Sequence, residues 1–560
     1  MQVSRFQRVQ PQLCDGALSA HQDRRGGARH GRFWARRAAP ARSARVGTPR
    51  SSGGTLARLG PMGGASALTT ATQEASTPTF ARGTRLRDAS WALVFLLAAA
   101  SLQGVQTVPF DGDTAYHVAV ARLIAKHGVL RQFPWTPFSY LAERYADKEL
   151  FFHFLLVPLS HLSYSLAAKL VGTLLGAALL WTFYRILCYE QVECPGLWTL
   201  AMLVSSGGFI VRLALVRPHL LSITLLLAIV WAAIHRKWMW LGLLSFLYPF
   251  CYIAWHAVLM VLLIVEGARL VAQRKIAVRT LAISACAMTA AVLLHPNFPA
   301  NTQLFWIQNV EVLVRKAWGG EAGFSLGEEF APLGFEAMLR HLSFPLIVVG
   351  MALFPAVRRR RESLAGFAFL ACAIAFIGLT AKTQRFLEYA VPFSFLAGAT
   401  SLRAVRKPLL VPLIAVMSAW TLLVGSHRLR DLPLRQDLFP RDRAESIQKI
   451  VPEGAQVFTC GWETTGEMML ALPERRFLVA LDPVFFWEKD AELYRTWFDV
   501  VHHPPTDPVS IVKSRFQAGF ILCEASPEYV AFIQRVNESP GMSRAFRLGP
   551  WALFVLKESS

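Results

Sequence analysis

The chain has 560 residues, 54% of them hydrophobic and 17% charged, with a formal net charge of +21. Soluble globular chains carry roughly 25% charged residues, so one large water-soluble core is excluded and repeated membrane spans account for the deficit. The positive charge gathers near the N-terminus and in short runs between apolar blocks, a pattern that orients a membrane protein and argues against a nucleic-acid partner.

Residues 1–85 are rich in Arg, Ala, Gly and Ser without apolar periodicity and are predicted to be disordered. Met62 is an alternative start that would leave a short cytoplasmic tail. The first span is expected at 91–108. Further apolar blocks follow at 166–187, 197–213, 219–234, 238–252, 254–271, 280–294, 342–356, 365–381, 389–402 and 409–424. A span needs about 20 apolar residues, so the expected fold is mainly α: a polytopic bundle of about eleven transmembrane helices over 86–425. Alternate loops carry Arg185, then His235-Arg236-Lys237, Arg269 to Arg279, Arg358-Arg359-Arg360-Arg361, and Arg403 with Arg406 and Lys407. The positive-inside rule places these in the cytoplasm and the C-terminal end outside.

Two long outside loops are expected, 109–165 and 295–341, and function concentrates in such loops. Within the first, 116–128 reads as an amphipathic helix and 148–162 as a second one on the membrane surface. Residues 426–560 have the composition of a small α/β domain. Its strands are expected at 456–459, 477–481, 519–522 and 551–556, and its helices at 491–501 and 527–536. Cys460 and Cys523 each follow an expected strand and are either a disulfide or two free apolar residues. The eight cysteines include no Cys-x-x-Cys pair, which argues against a metal cluster.

The first loop opens Phe110-Asp111-Gly112-Asp113-Thr114-Ala115-Tyr116-His117. A carboxylate at a partly desolvated rim can act as a general base; Asp113 can equally be the N-cap of the helix that follows. Next come Phe133-Pro134-Trp135-Thr136-Pro137-Phe138-Ser139-Tyr140 and Asp147-Lys148-Glu149-Leu150-Phe151-Phe152-His153. Aromatic residues interleaved with polar ones at an interface suit a sugar face, a lipid headgroup or an ordinary aromatic belt. At the outer end of a later span stands Lys382-Thr383-Gln384-Arg385-Phe386-Leu387-Glu388-Tyr389. An arginine at this depth needs an anion or a carboxylate, and Glu388 can serve as that partner. Arg212, Arg217, His219, His256 and His295 also lie near outer span ends, where His256 and His295 are candidates to line one cavity with Asp113 or to be structural.

The first loop resembles that of the GT-C superfamily, multispanning glycosyltransferases that use polyprenyl-phosphate sugars, and most closely bacterial members of the protein-mannosyltransferase and lipid-A-sugar-transferase type. The resemblance lies in the acidic D-x-D after the first span, Tyr116-His117, and the Phe-Ser and Asp-Lys-Glu turns in order. It implies that Asp113 or Asp111 takes the proton of an acceptor hydroxyl, and that Arg385, with Arg217, meets the lipid phosphate. Ser325-Leu326-Gly327-Glu328-Glu329-Phe330-Ala331-Pro332 is similar to a segment of oligosaccharyltransferases in which the Glu, here Glu328, helps hold a metal and the acceptor. A divalent metal is therefore a possible cofactor; the Trp-Trp-Asp signature and a second carboxylate set are absent, which counts against metal-dependent transfer to peptide Asn. The implied partners are a polyprenyl-phosphate-sugar donor, the lipid bilayer and a lipid, glycan or protein acceptor, and the implied location is the bacterial inner membrane. A transporter or flippase, and a scaffold that has lost the chemistry, are the alternatives.

Overall fold

Backbone polar groups in lipid must bond within their own segment, so apolar runs fold as helices. The computed structural model describes residues 79–105, 112–312, 331–403 and 443–557, with 411–412, 414–416, 418–420, 422–423 and 439. They belong to one unit, Thr77–Ser560; the expectations for 1–78 and for Met62 lie outside the described residues. The helices are α1 (Thr79–Gly104), α2 (Gly112–His127), α3 (Leu150–Leu156), α4 (Tyr164–Tyr189), α5 (Pro195–Val204), α6 (Gly207–Ala214) and α7 (His219–Ile234). After them come α8 (Trp238–Cys251), α9 (His256–Gln273), α10 (Val278–Leu294), α11 (Ala300–Trp306), α12 (Phe335–Arg358), α13 (Leu364–Lys382) and α14 (Leu387–Ser401). Among the described residues, α4, α9, α12 and α13 are each long and apolar enough to cross a membrane, and α7, α8 and α10 are shorter apolar helices. The chain is thus a mainly helical, multi-pass membrane protein. Within the expected last span, 409–424, residues 411–412, 414–416, 418–420 and 422–423 are described, and all of them are helical.

One expected span is broken. Residues 197–213 form two helices, α5 and α6, meeting at 92°. The cause is local. Ser205 Oγ donates to the Met202 carbonyl, Ser206 Oγ accepts the Phe209 amide, and Gly207-Gly208 follow. Serine side chains compete with the helix ladder and cap a new helix. In the centre of the bundle, every residue of α14 is buried. Small residues allow this: a Cβ on Gly398 would lie 2.3 Å from Val348 Cγ1, so α12 reaches the α14 backbone as small-residue helix interfaces permit.

Helix boundaries in the loops also differ from expectation. α2 begins at Gly112, four residues early, so Asp113 lies inside its first turn and is not its N-cap. The surface helix expected at 148–162 shortens to α3 followed by a 3-10 turn, Val157–Leu159, where Pro158 cannot continue the ladder. α12 starts at Phe335 rather than 342.

The C-terminal domain contains α15 (Ala444–Ile450), β1 (Val457–Thr459), α16 (Thr465–Ala471), α17 (Val484–Lys489), α18 (Ala491–His502), α19 (Pro508–Phe516), β2 (Phe520–Glu524), α20 (Val530–Glu538), β3 (Met542–Leu548) and β4 (Trp551–Leu556). The sheet order is β1-β2-β4-β3, with β1 and β2 parallel and the other pairs antiparallel. The expected strand 477–481 is not one: only an isolated bridge, Gln456 with Arg476, forms there. β3 was not anticipated. Cys460 and Cys523 form a disulfide, with Cα atoms 5.3 Å apart.

Side chains alternate across this sheet with the strand period of two. Phe458, Ile521 and Phe554 face a core with Phe516 and Phe532. Val457, Leu522 and Leu553 face a core shared with Tyr116, Val120, Phe133 and Trp135 of the first loop. The Trp135 indole N–H donates to the Pro473 carbonyl at 2.7 Å, and the Phe477 amide to the Trp135 carbonyl at 2.6 Å. Two glycines permit the closest approach: a Cβ on Gly466 would lie 2.2 Å from the Gly112 carbonyl oxygen, and one on Gly112 would lie 2.6 Å from that of Glu463. The domain therefore rests directly on the start of α2.

Candidate active site

The start of α2 is docked on the turn between α6 and α7. From α1, the Gln103 side-chain amide donates to the carbonyls of Leu213 and Ala214, both at 3.3 Å. Thr114 Oγ1 donates to the Val216 carbonyl at 3.4 Å. This brings Asp113 to Arg217: Oδ2 lies 2.8 Å from Nη1. An acid in a first helical turn also gains from the helix dipole. The Asp113 side chain is 45% exposed, so a ligand can reach it.

Arg217 stands two residues before α7, whose N-terminal amides favour anions. Its first residue, His219, donates from Nε2 to the Arg212 carbonyl at 2.8 Å, while its buried Nδ1 makes no hydrogen bond. Arg212, Arg217 and Arg385 all act electrostatically on this imidazole. Arg385 donates to the Tyr252 hydroxyl at 2.6 Å, with its guanidinium 5.6 Å from that ring's centre. The expected Arg385–Glu388 pairing is replaced by another. Glu388 Oε2 accepts from Arg212 at 2.7 and 3.0 Å, and the buried Glu388 Oε1 makes no hydrogen bond. α6 exists as a separate helix because of the Ser-Ser-Gly-Gly break, and that break is what brings Arg212 to α14.

A second polar group lies in the first loop. His117 Nδ1 is 2.9 Å from His153 Nε2, and His153 Nδ1 is 2.8 Å from both oxygens of Asp147. Asn297, after α10, ties this loop down: its side chain accepts from the Asp147 amide at 3.2 Å and donates to the Leu130 carbonyl at 2.7 Å. Beside it, burial pushes the Glu149 carboxyl up, opposed by Lys148 and His153 and reinforced by Asp147 and Asp113. Lys148 lies 3.7 Å from that carboxylate and 3.2 Å from Gln308.

Of the sequence-derived candidates, Asp113, Arg217, Arg385, Glu388 and His117 thus gather around the α2 and α7 N-termini. Tyr116 points instead into the core shared with the C-terminal domain, its hydroxyl 3.2 Å from that of Tyr145. His256 packs edge-on against Phe305 of α11, and His295 stacks on Phe250. Asp111 and Glu328 lie outside the described residues. Arg212, His219, Tyr252, Asp147, Lys148, Glu149 and His153 belong to the two groups as well. The Asp147–His153 bond spans six residues within the Asp-Lys-Glu motif, so its signal was local; the others needed the tertiary fold. Among the described residues, no His, Cys, Asp and Glu side chains group as a metal site requires, and the Asp113 carboxylate faces a guanidinium.

No protein-family model and no curated protein sequence matches the chain. Solved structures do match. An oligosaccharyltransferase from Archaeoglobus fulgidus in the apo form superposes with a TM-score of 0.57 at 13% identity, over 80% of this chain and 71% of that one. The AglB oligosaccharyltransferase of the same organism, in complex with an inhibitory peptide and a dolichol-phosphate, gives 0.56 at 14% identity, over 84% and 74%. ArnT from Cupriavidus metallidurans, bound to undecaprenyl phosphate, gives 0.53 at 13% identity, over 85% and 98%. At these identities the likeness is one of fold: the chain folds as the GT-C superfamily of membrane glycosyltransferases does.

Proposed function

We propose that this protein moves a sugar from a polyprenyl-phosphate donor to a hydroxyl acceptor, a lipid, glycan or protein, at the outer face of the cytoplasmic membrane. The observation that carries the reading is the meeting of Arg212, Arg217 and Arg385 around His219, with Arg217 2.8 Å from Asp113. A base and an anion site thus lie side by side at one end of the bundle. Asp113 takes the acceptor proton, the freed oxygen attacks the anomeric carbon with inversion, and the phosphate leaves with the bonding electrons. Arg217 and Arg385 receive the charge that develops on it; such preorganised charge is the largest catalytic contribution in many enzymes. The guanidinium also holds the Asp113 carboxylate in place at the start of α2. Glu388 orients Arg212.

The lipid phosphates in AglB and ArnT support the donor class. Alternating basic loops support about eleven spans with the C-terminal domain outside. The Cys460–Cys523 disulfide accords with an oxidising compartment for that domain.

The test is transfer of radiolabel from a panel of polyprenyl-phosphate sugars by purified wild type and Asp113→Asn. Transfer by wild type, reduced about 10²–10⁴-fold in the variant, is expected. Equal transfer by both would move the base elsewhere. No transfer from any donor to any acceptor offered would favour a transporter or a scaffold.

A further inference from the structure

Three acid–base groups of the first loop have no part in the transfer step above. Their line has one sealed end. Asp147 is 1% exposed; its carboxylate accepts the Glu149 amide at 3.1 Å and the His153 ring at 2.8 Å. A carboxylate is an acceptor, so the His153 proton sits on Nδ1 and Nε2 carries a lone pair. That lone pair accepts the Nδ1 proton of His117 at 2.9 Å. The fixed tautomer leaves His117 Nε2 as an acceptor. Among the described residues it makes no hydrogen bond. His117 follows Asp113 by four residues on α2, so the two share a helix face.

The surrounding charges give the line a direction. His117 is faced by Arg217 and His219 from the α7 end and by Lys148 from the loop, with Tyr116 and Phe152 against its ring. Burial, aided by His153 and these cations, holds His117 well below the usual imidazole range, so it stands neutral with its lone pair available. The inner end is faced by Asp147 and Glu149, with the Tyr145 hydroxyl nearby. A proton entering at His117 is repelled there and held next to Asp147.

We propose that His117, His153 and Asp147 form a proton relay that clears Asp113 after each sugar transfer. The proposal rests on the transfer reading above. The transfer runs through one water between them: as the Asp113 O–H bond breaks, the water takes that proton and gives one of its own to His117 Nε2, where a new N–H bond forms. The Nδ1 proton of His117 then passes to His153 Nε2, and the imidazolium charge comes to rest on His153 beside the Asp147 carboxylate. Asp113 is again a carboxylate before the product leaves, so the new glycoside cannot reclaim its proton. Water entering on product release takes the proton from His117 by the reverse path.

The experiment measures kcat against pH and buffer concentration for full-length wild type, His117→Ala and Asp147→Asn. It also measures undecaprenyl phosphate binding and thermal unfolding. Both variants are expected to lose about 10²-fold in kcat, the lower end of acid–base assistance, while binding of the lipid phosphate is unchanged. Added imidazole is expected to restore His117→Ala, and substituted imidazoles to do so in the order of their pKa. A packing role alone would give neither response. Wild-type kcat with a wild-type pH profile in Asp147→Asn would overturn the relay, as would loss of activity in His117→Ala that no imidazole restores. If wild type transfers sugar and Asp113→Asn does not, such results remove the relay only; an inactive wild type removes both.

Discussion

Two buried ion pairs at opposite ends of the bundle are built differently. Glu266 and Arg269, near the C-terminal end of α9, are closed. The carboxylate takes the Arg269 Nε at 3.1 and 3.3 Å and the Ala277 amide at 2.8 Å, and Arg269 Nη2 reaches the Ala233 carbonyl at 2.8 Å. Glu388 and Arg212, at the end that meets the C-terminal domain, are open: one oxygen of Glu388 takes both guanidinium bonds and the other takes none. Glu149 Oε2 and His219 Nδ1 at the same end are likewise buried without a hydrogen bond. Buried polar atoms are normally paired. The closed pair therefore reads as a staple between helices and the open one as part of a site that a ligand completes.

The same substitution at both carboxylates separates these readings. Glu266→Gln puts amide hydrogens where donors already point, and about 3 kcal/mol of stability is expected to go, with transfer per folded molecule unchanged. Glu388→Gln is expected to cost only about 1 kcal/mol yet to lower transfer roughly tenfold, the worth of one charge-assisted hydrogen bond. Thermal unfolding in detergent, run beside the transfer assay, checks both. Equal losses of stability would erase the distinction.

Next in size is Gly466→Ala. Its Cβ would meet the Gly112 carbonyl at 2.2 Å, a backbone atom that cannot swing aside. About 1–3 kcal/mol of overpacking cost is expected, together with reduced transfer because the start of α2 must shift. Limited proteolysis between bundle and domain would report the loosened docking; Gly267→Ala, with nothing within 4 Å of the added carbon, serves as the silent control.

The smallest expected effect is at Asp482. Burial pushes its carboxyl up to about 6, although the Val484 amide at 3.0 Å and Lys148 favour the charged form. The ordinary value is about 3.9, so the folded state binds this proton more tightly than the unfolded chain. The contribution to stability is complete below about pH 4 and is lost as pH rises through about 6. Asp482→Asn should therefore raise the unfolding temperature by about 2 °C at pH 7.5 and by less at pH 5. A shift of the same size at both values would show that the carboxyl is not buried in solution.

Much of the helical frame could be read from residues. The run 219–234 has the bounds of α7, and 280–294 comes within two residues of α10, because length and apolarity decide a lipid-facing helix. The bend in 197–213 could not be read from hydropathy, since two serines and two glycines change the ladder without changing the average. β3 was hidden for a related reason: Met542-Ser543-Arg544-Ala545-Phe546-Arg547 is largely exposed and gains its place from pairing with β4. Residues 477–481 misled in the other direction, because buried loop packing selects apolar residues as well as a strand does. In the site, Asp113, Arg217 and Arg385 stood out as charges at span ends. Which of the singled-out residues pair with which did not. Glu388 meets Arg212 across 176 positions and His117 meets His153 across 36. Charges that close together only through tertiary packing leave no local pattern.

The contact between Trp135 and Pro473 joins residues 338 positions apart. During synthesis, the helix carrying Asp113 is made before its cover, which follows more than 300 positions later. Until then, Tyr116, Val120 and Phe133 have no C-terminal sheet to pack against, and the long chain closure must precede its reward. Docking of the C-terminal sheet then becomes the event that settles the start of α2. A chain cut short before β4 would lack the strand that carries Leu553 into the core shared with Tyr116 and Val120, and the start of α2 would be left without its cover.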